Sequence, residues 1–287
     1  MLNMTHSSKI DVASLSAAAR NFEHLAPQYR SAQPFPHIVM DNLLPSDLLN
    51  ALVAELPEHT NASGCLVDSK CFGNSHNFHR SEFNKHSFGH YTRAVFALLR
   101  SPEWVRGLQQ LTGIQKLFPD KHYSGSGVHM AGNGGYLQIH ADFNYKDQRT
   151  GTVATHFNDA VMVRRVNTLF YLNPLWDESF GGHMELWDRQ LKSCVQTISI
   201  SPFGRYLVFT SNDFSFHGHP TPMKLPRGRM RRALSLYYYT KESFPVADCE
   251  IVFANGTCAA HGTLYQKKPK STLLPQSCSV EIQNATR

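Results

Sequence analysis

The sequence predicts a mainly β protein with flanking helices, an α+β class, folded as a sandwich or a barrel. Hydrophobic residues make up 41% of the 287 residues, which is enough to bury a sizeable core. From about residue 120 onward, short apolar segments alternate with Gly, Pro, Asn and Asp, a pattern typical of many short strands. Before that point, apolar residues recur at helical spacing, so the helices are expected at the N-terminal side.

The N-terminal third begins with a polar leader over residues 1–33, partly helical, with a short Ala-rich helix expected near Leu15–Phe22. A β-like segment and a turn at Asp41 and Asn42 follow, and then a helix with Ser46 as its expected N-cap. The buried face of that helix is predicted to consist of Leu48, Leu49, Leu52 and Leu56.

Two further stretches precede the β-rich region. Residues 58–80 show no clear period and predict a loop. Residues 90–113 predict one or two amphipathic helices that end at Gly113.

The β-rich region forms the predicted core of a single domain over residues 34–267, with its strands between about 120 and 245 and a flexible tail over 268–287. Apolar and aromatic residues suit strands buried on at least one face. Six segments are predicted as strands: 135–143, 164–173, 181–188, 195–202, 204–211 and 232–240.

Charge and composition limit the partners that we expect. The net charge is +6, but Lys and Arg are scattered, and their densest cluster, 224–232, leads into a predicted strand, so no nucleic acid is expected. No apolar run approaches the roughly 18 residues of a membrane span, so no membrane partner is expected either. The N-terminus lacks the apolar stretch of a signal peptide, and the six cysteines form no CxxC pair, which favours reduced thiols in the cytoplasm.

A possible metal site lies in the β-rich region. His140 and Asp142 alternate on a predicted strand, so an imidazole and a carboxylate emerge on the same face. A second imidazole, His217 or His219, follows a later strand. Two histidines and one carboxylate with open coordination positions describe the facial triad of non-haem Fe(II) oxygenases. Taken alone, the first pair also fits a core histidine bonded to its neighbour, and the later histidines fit a solvated turn.

The order of the motifs is more specific than any one of them. The segments "GGYLQIHADFN", "NTLFYLN", "GGHMELWD", "FTSNDFSFHGHP" and "RALSLYYYT" occur in sequence over roughly residues 120–245, and "PFPHIVMDNLLP" precedes them. In this set the chain resembles the prolyl 4-hydroxylase-like family of 2-oxoglutarate- and Fe(II)-dependent dioxygenases. The resemblance implies a double-stranded β-helix, a jelly-roll or cupin-like barrel, with N-terminal helices.

The resemblance also implies the ligands of the iron. They are His140, Asp142 and His217, because the family places the second histidine in the phenylalanine-histidine-glycine step. His219 then becomes a neighbour of the site or a plain turn residue.

The resemblance implies a pocket for 2-oxoglutarate on the neighbouring strands. Arg231 is expected to bind the 5-carboxylate, since its planar fork can grip a carboxylate, and Tyr171 is expected to help hold it. His129 is expected near the iron-bound end of the cosubstrate, and Asn167 and Leu169 share a strand face with Tyr171.

One position of that pocket departs from the family pattern. Ala233 stands where the family usually has serine, which removes one hydroxyl contact at the far end of the cosubstrate. Alternation places Arg231, Ala233, Ser235 and Tyr237 on one face and Arg232 on the other.

The implied reaction consumes 2-oxoglutarate and O2, hydroxylates an unactivated C–H bond, and releases succinate and CO2. The carboxylate of Asp142 favours hydroxylation over halogenation, although desaturation and ring closure use the same triad. The substrate is expected to be a small molecule or an amino-acid or peptidyl side chain, free or carrier-bound; the sequence does not distinguish these. A cupin-like metalloenzyme of another reaction type, such as an isomerase, and a non-catalytic binding module are the alternatives.

The segment 144–165 is expected to cover the active site, because it is long for a connection between neighbouring strands. It carries or adjoins four basic residues, which favour an anionic group on the substrate. These residues are Lys146, Arg149, Arg164 and Arg165.

Overall fold

The computed structural model describes residues 19, 21–57, 69–72, 77–83, 85–123, 125–142, 145–147 and 161–242. Most of the Ala-rich helix expected near Leu15–Phe22 and the whole predicted tail 268–287 lie outside the described residues. Within this part of the chain there are four α-helices: α1 (Ala26–Ser31), α2 (Ser46–Ala54), α3 (His90–Leu99) and α4 (Pro102–Thr112). None of the described helices has the length and apolar character needed to cross a bilayer.

The predicted helices are present, with one correction. Helix α2 buries Leu48, Leu49 and Leu52, while Leu56 is buried just beyond its end. The helix begins at Ser46, and its N-cap is Pro45, one residue earlier than expected. The long helical segment is split into α3 and α4 because Ser101 caps α4, accepting a bond from the amide of Trp104 at 3.3 Å. Gly113 ends α4 with a φ of 78°, a conformation that glycine adopts at no steric cost.

The end of the predicted leader is part of the packed structure. A 3-10 turn at Phe22–Leu25 precedes α1, and the ring of Phe22 meets Trp104 of α4 edge-on at 5.3 Å. Tyr29 is buried, and its hydroxyl lies 2.6 Å from Oγ1 of Thr210. Residues 22–31 therefore tie the helical layer to the β core.

Twelve strands are present within the described residues. They are β1 (His37–Met40), β2 (Ser69–Phe72), β3 (Asn77–Phe83), β4 (Phe118–Pro119), β5 (Gly127–His140), β6 (Tyr145–Asp147), β7 (Val161–Tyr171), β8 (Met184–Trp187), β9 (Cys194–Ile198), β10 (Tyr206–Thr210), β11 (His217–His219) and β12 (Arg231–Glu242). All pairings are antiparallel, and the main order is β1-β10-β7-β12-β5-β11-β8-β9. Each of the six predicted strand segments overlaps one of these strands.

Two local predictions are wrong. The expected loop 58–80 contains β2 and most of β3, and the expected turn after residue 216 contains β11. In both places, a strand is stabilised by pairing with β5, which cannot be predicted from a local sequence pattern. Strand β3 pairs with β5 from Asn77 to Phe83, and β11 pairs with the C-terminal end of β5.

Strand β5 joins the two halves of the barrel. Its first residues, Gly127–Ala131, pair with β12, and its end, Leu137 to His140, pairs with β11. Glycines occupy the stretch between, and a Cβ at Gly135 would lie 2.8 Å from the carbonyl oxygen of Gly132, which leaves no room for a larger residue. The sheet can therefore curl at these glycines. As a result, the first half of β5 belongs to the part of the sheet with β12, and its last residues belong to the part with β11.

The two faces of the curled sheet have different neighbours. One face packs on the helices, and its residues on β12 are Leu234, Leu236 and Tyr238. The other face encloses an apolar interior that includes Leu169, Tyr171 and Ala233. Alternation along each strand thus separates residues that hold the helices from residues that line the barrel.

The expected cover over 144–165 is not a loop throughout. Tyr145–Asp147 forms β6, and its backbone pairs with Val161–Val163 of β7, so residues 161–165 belong to a strand. Residues 148–160 lie outside the described residues.

One cysteine also differs from the expectation. Cys194 at the start of β9 is disulfide-bonded, so the prediction of reduced thiols is wrong at this residue.

Candidate active site

The predicted triad meets where the two halves of the barrel join. His140 is the last residue of β5, and its cross-strand partner is His217, the first residue of β11. Asp142 follows two residues after β5. One ligand atom from each residue lies within 4.8 Å of the other two, so the group could hold a metal ion. His219 is also buried, but it is not part of this group.

Both imidazoles are oriented as metal ligands require. Nδ1 of His140 lies 2.8 Å from the carbonyl oxygen of Gln138, and Nδ1 of His217 lies 2.8 Å from that of Ser215. A carbonyl can only accept, so each Nδ1 carries the proton and each Nε2 offers its lone pair. These Nε2 atoms lie 3.6 Å from Oδ1 and Oδ2 of Asp142 respectively. The donor set and its orientation fit a divalent ion.

The protonation states of Asp142 and His217 also suit metal binding. Burial raises the pKa of Asp142, but the attraction of Arg164 and the contacts with both histidines outweigh it and leave this pKa well below its usual value. Burial and the neighbouring His140 lower the pKa of His217. The carboxylate is therefore ionised and His217 is neutral at pH 7, which are the forms that bind metals.

Three buried polar side chains surround the carboxylate of Asp142. Nη1 of Arg164 lies 2.9 Å from Oδ1, the hydroxyl of Tyr237 donates to Oδ2 at 3.1 Å, and Nδ2 of Asn167 donates to Oδ2 at 3.2 Å. The guanidinium of Arg164 also lies over the ring of Tyr237, 3.6 Å from its centre.

Sequence reasoning gave Arg164 a different role, and the structure corrects it. Arg164 is buried on β7 and paired with Asp142, while Nε of Arg165 bonds Oγ1 of Thr240 at 3.0 Å. Neither side chain therefore supports the expectation of an anionic substrate.

A bulge in β7 explains why alternation alone could not predict the contact. The register against β12 shifts between Tyr238, which faces Val166, and Tyr239, which faces Arg164. The extra residue is Arg165, and it brings Arg164 to the same side as Asn167. Tyr237, by contrast, lies on the strand face that the sequence had already grouped with Arg231.

The predicted cosubstrate residues form a row across three strands. Ala233 of β12 has Tyr171 of β7 and His129 of β5 as its cross-strand partners. Arg231 lies two residues earlier, with its guanidinium 5.3 Å from the centre of the Tyr171 ring. Burial raises the pKa of Tyr171 to about 12 despite the nearby Arg231, so its hydroxyl keeps its proton.

The remaining contacts define the end of this pocket. Nε of Arg231 donates to the carbonyl oxygen of Gly182 at 2.7 Å, which holds the buried guanidinium beneath the glycine turn before β8. A Cβ at Gly182 would lie 3.1 Å from Cδ of Arg231, so the turn and the arginine are closely fitted. Leu169 belongs to the apolar interior, whereas Asn167 contacts Asp142.

Comparison with known proteins agrees with this geometry. Residues 126–239 match the model of the 2OG-Fe(II) oxygenase superfamily. No curated protein sequence matches significantly. Among solved structures, a prolyl-4-hydroxylase of Pseudomonas putida is 17% identical with a TM-score of 0.51, over 77% of this chain and 100% of that one.

Two more solved structures are similar at lower scores. One is a prolyl hydroxylase of Trichoplax adhaerens in complex with a hypoxia inducible factor peptide, with 16% identity and a TM-score of 0.48 over 82% of this chain and 94% of that one. The other is HygX of Streptomyces hygroscopicus with nickel and 2-oxoglutarate, with 13% identity and a TM-score of 0.43 over 72% and 84%.

The matched segment contains the triad and every predicted cosubstrate residue, and the curled antiparallel sheet has the double-stranded β-helix fold of this class. The chain therefore carries, over residues 126–239, a segment that matches the 2OG-Fe(II) oxygenase superfamily. The protein is a dioxygenase that uses Fe(II), with 2-oxoglutarate and O2 as cosubstrates.

Proposed function

We propose that this enzyme hydroxylates an unactivated C–H bond of a small molecule or of an amino-acid or peptidyl side chain, and that His140, Asp142 and His217 bind its iron. The observation that carries the proposal is the convergence of two Nε2 atoms on one ionised carboxylate at the junction of the barrel. Two imidazoles and one carboxylate leave positions open for reactants, as in a facial triad.

The surrounding residues hold the triad and the cosubstrate. The ring of Phe209 packs against His217 with centroids 4.6 Å apart, which excludes water from that side of the imidazole. In the proposal, Arg231 binds the 5-carboxylate of 2-oxoglutarate with help from Tyr171, His129 lies towards the reacting end, and Leu169 forms an apolar wall. These assignments rest on the shared row of positions and on the chemistry of the side chains.

The metal supplies the oxidising chemistry. When bound, Fe(II) activates O2, so that decarboxylation of 2-oxoglutarate to succinate and CO2 is coupled to insertion of one oxygen atom into the C–H bond. The protein orients both partners in a largely apolar interior.

The test measures succinate formation from 2-oxoglutarate with added Fe(II), with and without candidate substrates. We expect turnover in the wild type, its loss in His217→Ala, and metal binding that is largely retained in His219→Ala. Metal titrations with the reverse pattern would show that the second histidine has been assigned wrongly. Absence of 2-oxoglutarate-dependent oxidation with every substrate would contradict the proposed reaction.

The substrate screen should begin with a proline-containing peptide, because the similar structure from Pseudomonas putida is a prolyl-4-hydroxylase. Small molecules and carrier-bound acids follow. Product mass spectrometry distinguishes a gain of one oxygen from desaturation, which gives a loss of two hydrogens. A gain of one oxygen atom supports hydroxylation, and a loss of two hydrogens would show that the enzyme is a desaturase instead.

A further inference from the structure

The carboxylate of Asp142 is held by three donors from the protein. Arg164 reaches Oδ1, while Asn167 and Tyr237 reach Oδ2. Each of these three side chains is at most 6% exposed, although each is polar. Buried polar groups are costly unless they are paired, so their convergence on one carboxylate indicates a built arrangement.

We propose that Arg164, Asn167 and Tyr237 form a carboxylate clamp, a set of positioning residues that fixes the orientation of Asp142 for the metal. The inference rests on the proposed function, since it takes Asp142 to be a metal ligand. None of the three touches the reacting atoms in this assignment; they act through Asp142.

The clamp restricts how the carboxylate can bind. A bidentate carboxylate must turn both oxygens towards the ion, but here the protein engages both oxygens from two different strands. The clamp therefore favours binding through one oxygen. One-oxygen binding by Asp142 leaves the open coordination positions that the facial triad needs for its other reactants.

Tyr237 contacts both Asp142 and another clamp residue, Arg164. Its hydroxyl donates to Asp142, and its ring lies beneath the guanidinium of Arg164. Arg164 also makes a second contact with Asp142, since its Nη1 lies 3.1 Å from the backbone carbonyl oxygen of Asp142. The clamp thus fixes the backbone as well as the side chain of a residue that lies beyond the end of β5.

The test uses the full chain and measures metal binding directly. Co(II) is the probe, because its d–d absorption reports both affinity and coordination geometry without turnover. We expect Tyr237→Phe and Asn167→Ala each to weaken Co(II) binding about tenfold, and Arg164→Lys to weaken it by about 10- to 100-fold, since residues that orient metal ligands typically contribute this much. The absorption bands of the variants should change shape, because the carboxylate is released to bind differently.

A neighbouring tyrosine provides the matched control. Tyr238→Phe also removes a buried hydroxyl from β12, but that hydroxyl donates to the carbonyl oxygen of Leu99 at 2.7 Å, on the helical side. This variant should lose thermal stability while keeping wild-type Co(II) affinity and bands. If it loses Co(II) affinity as Tyr237→Phe does, the effect is general destabilisation and the clamp is refuted.

Asp142→Ala separates the clamp from the proposed function. If Asp142→Ala abolishes Co(II) binding while all three clamp variants bind like the wild type, the clamp is wrong and the triad stands. If Asp142→Ala binds Co(II) normally, the triad and the clamp both fail.

Discussion

Replacing Arg231 with glutamine tests the proposed cosubstrate pocket most directly. The guanidinium is buried, anchored by Nε to Gly182, and directed towards Tyr171. A hydrogen bond to a charged group contributes about 1.5–3 kcal/mol, so Arg231→Gln should raise the Kd of 2-oxoglutarate by roughly ten- to a hundredfold. Calorimetric titration of 2-oxoglutarate into the protein with Mn(II) in place of iron measures this Kd without turnover.

The same titration needs a control for loss of packing. Arg232 is the next residue on β12 and points to the other face, so Arg232→Ala should bind 2-oxoglutarate like the wild type. Tyr171→Phe removes one hydroxyl near Arg231 and should have a smaller effect than Arg231→Gln. An Arg231→Gln protein that is folded, binds Mn(II) and retains the wild-type Kd for 2-oxoglutarate would refute the assignment.

Three further predictions concern other parts of the molecule. Ala233→Ser supplies the hydroxyl that the family usually has, and a hydrogen bond from it to the charged carboxylate, about 1.5–3 kcal/mol, should lower the Kd of 2-oxoglutarate roughly ten- to a hundredfold in the same titration. The carboxylate of Glu55 accepts bonds at 2.7 and 2.8 Å from two backbone amides in the first turn of α3, so Glu55→Ala should cost about 0.5–2 kcal/mol of stability in urea unfolding and leave the Co(II) bands unchanged. Burial lowers the pKa of His37 and of His217 below 6.5, so the unfolded chain binds more protons as the pH falls through 6.5. The free energy of unfolding therefore keeps its full value above pH 6.5 and decreases below it, by at most about 2.7 kcal/mol per pH unit for two protons. Urea unfolding of metal-free His37→Gln should show a shallower pH dependence than that of the wild type.

Strand alternation and motif order were enough to predict most of the fold and the three residues that the structure brings together as a candidate metal site. The pair His140 and Asp142 was predicted from a period of two along one strand; β5 ends at His140, yet the structure brings both residues together with His217. Strands β3 and β11 were missed because they are held by pairing with β5, and β2 was missed because it is held by pairing with β3; no local pattern shows these pairings.

The residues around Asp142 were harder to predict for a related reason. Arg164 reaches Asp142 because a one-residue bulge changes the face of β7, and a bulge is set by the register against β12. A strict alternation would have placed Arg164 and Asn167 on opposite faces. The basic residues were therefore assigned to a substrate, although at least one of them neutralises a ligand of the proposed metal site.

Adjacent tyrosines of β12 show how one strand can serve stability and chemistry separately. Tyr238 faces the helices and donates to Leu99 at the end of α3, so its loss should affect the free energy of unfolding. Tyr237 faces the barrel and donates to Asp142, so its loss should affect metal affinity. Because successive side chains lie on opposite faces, substitutions one residue apart are expected to have effects of different kinds.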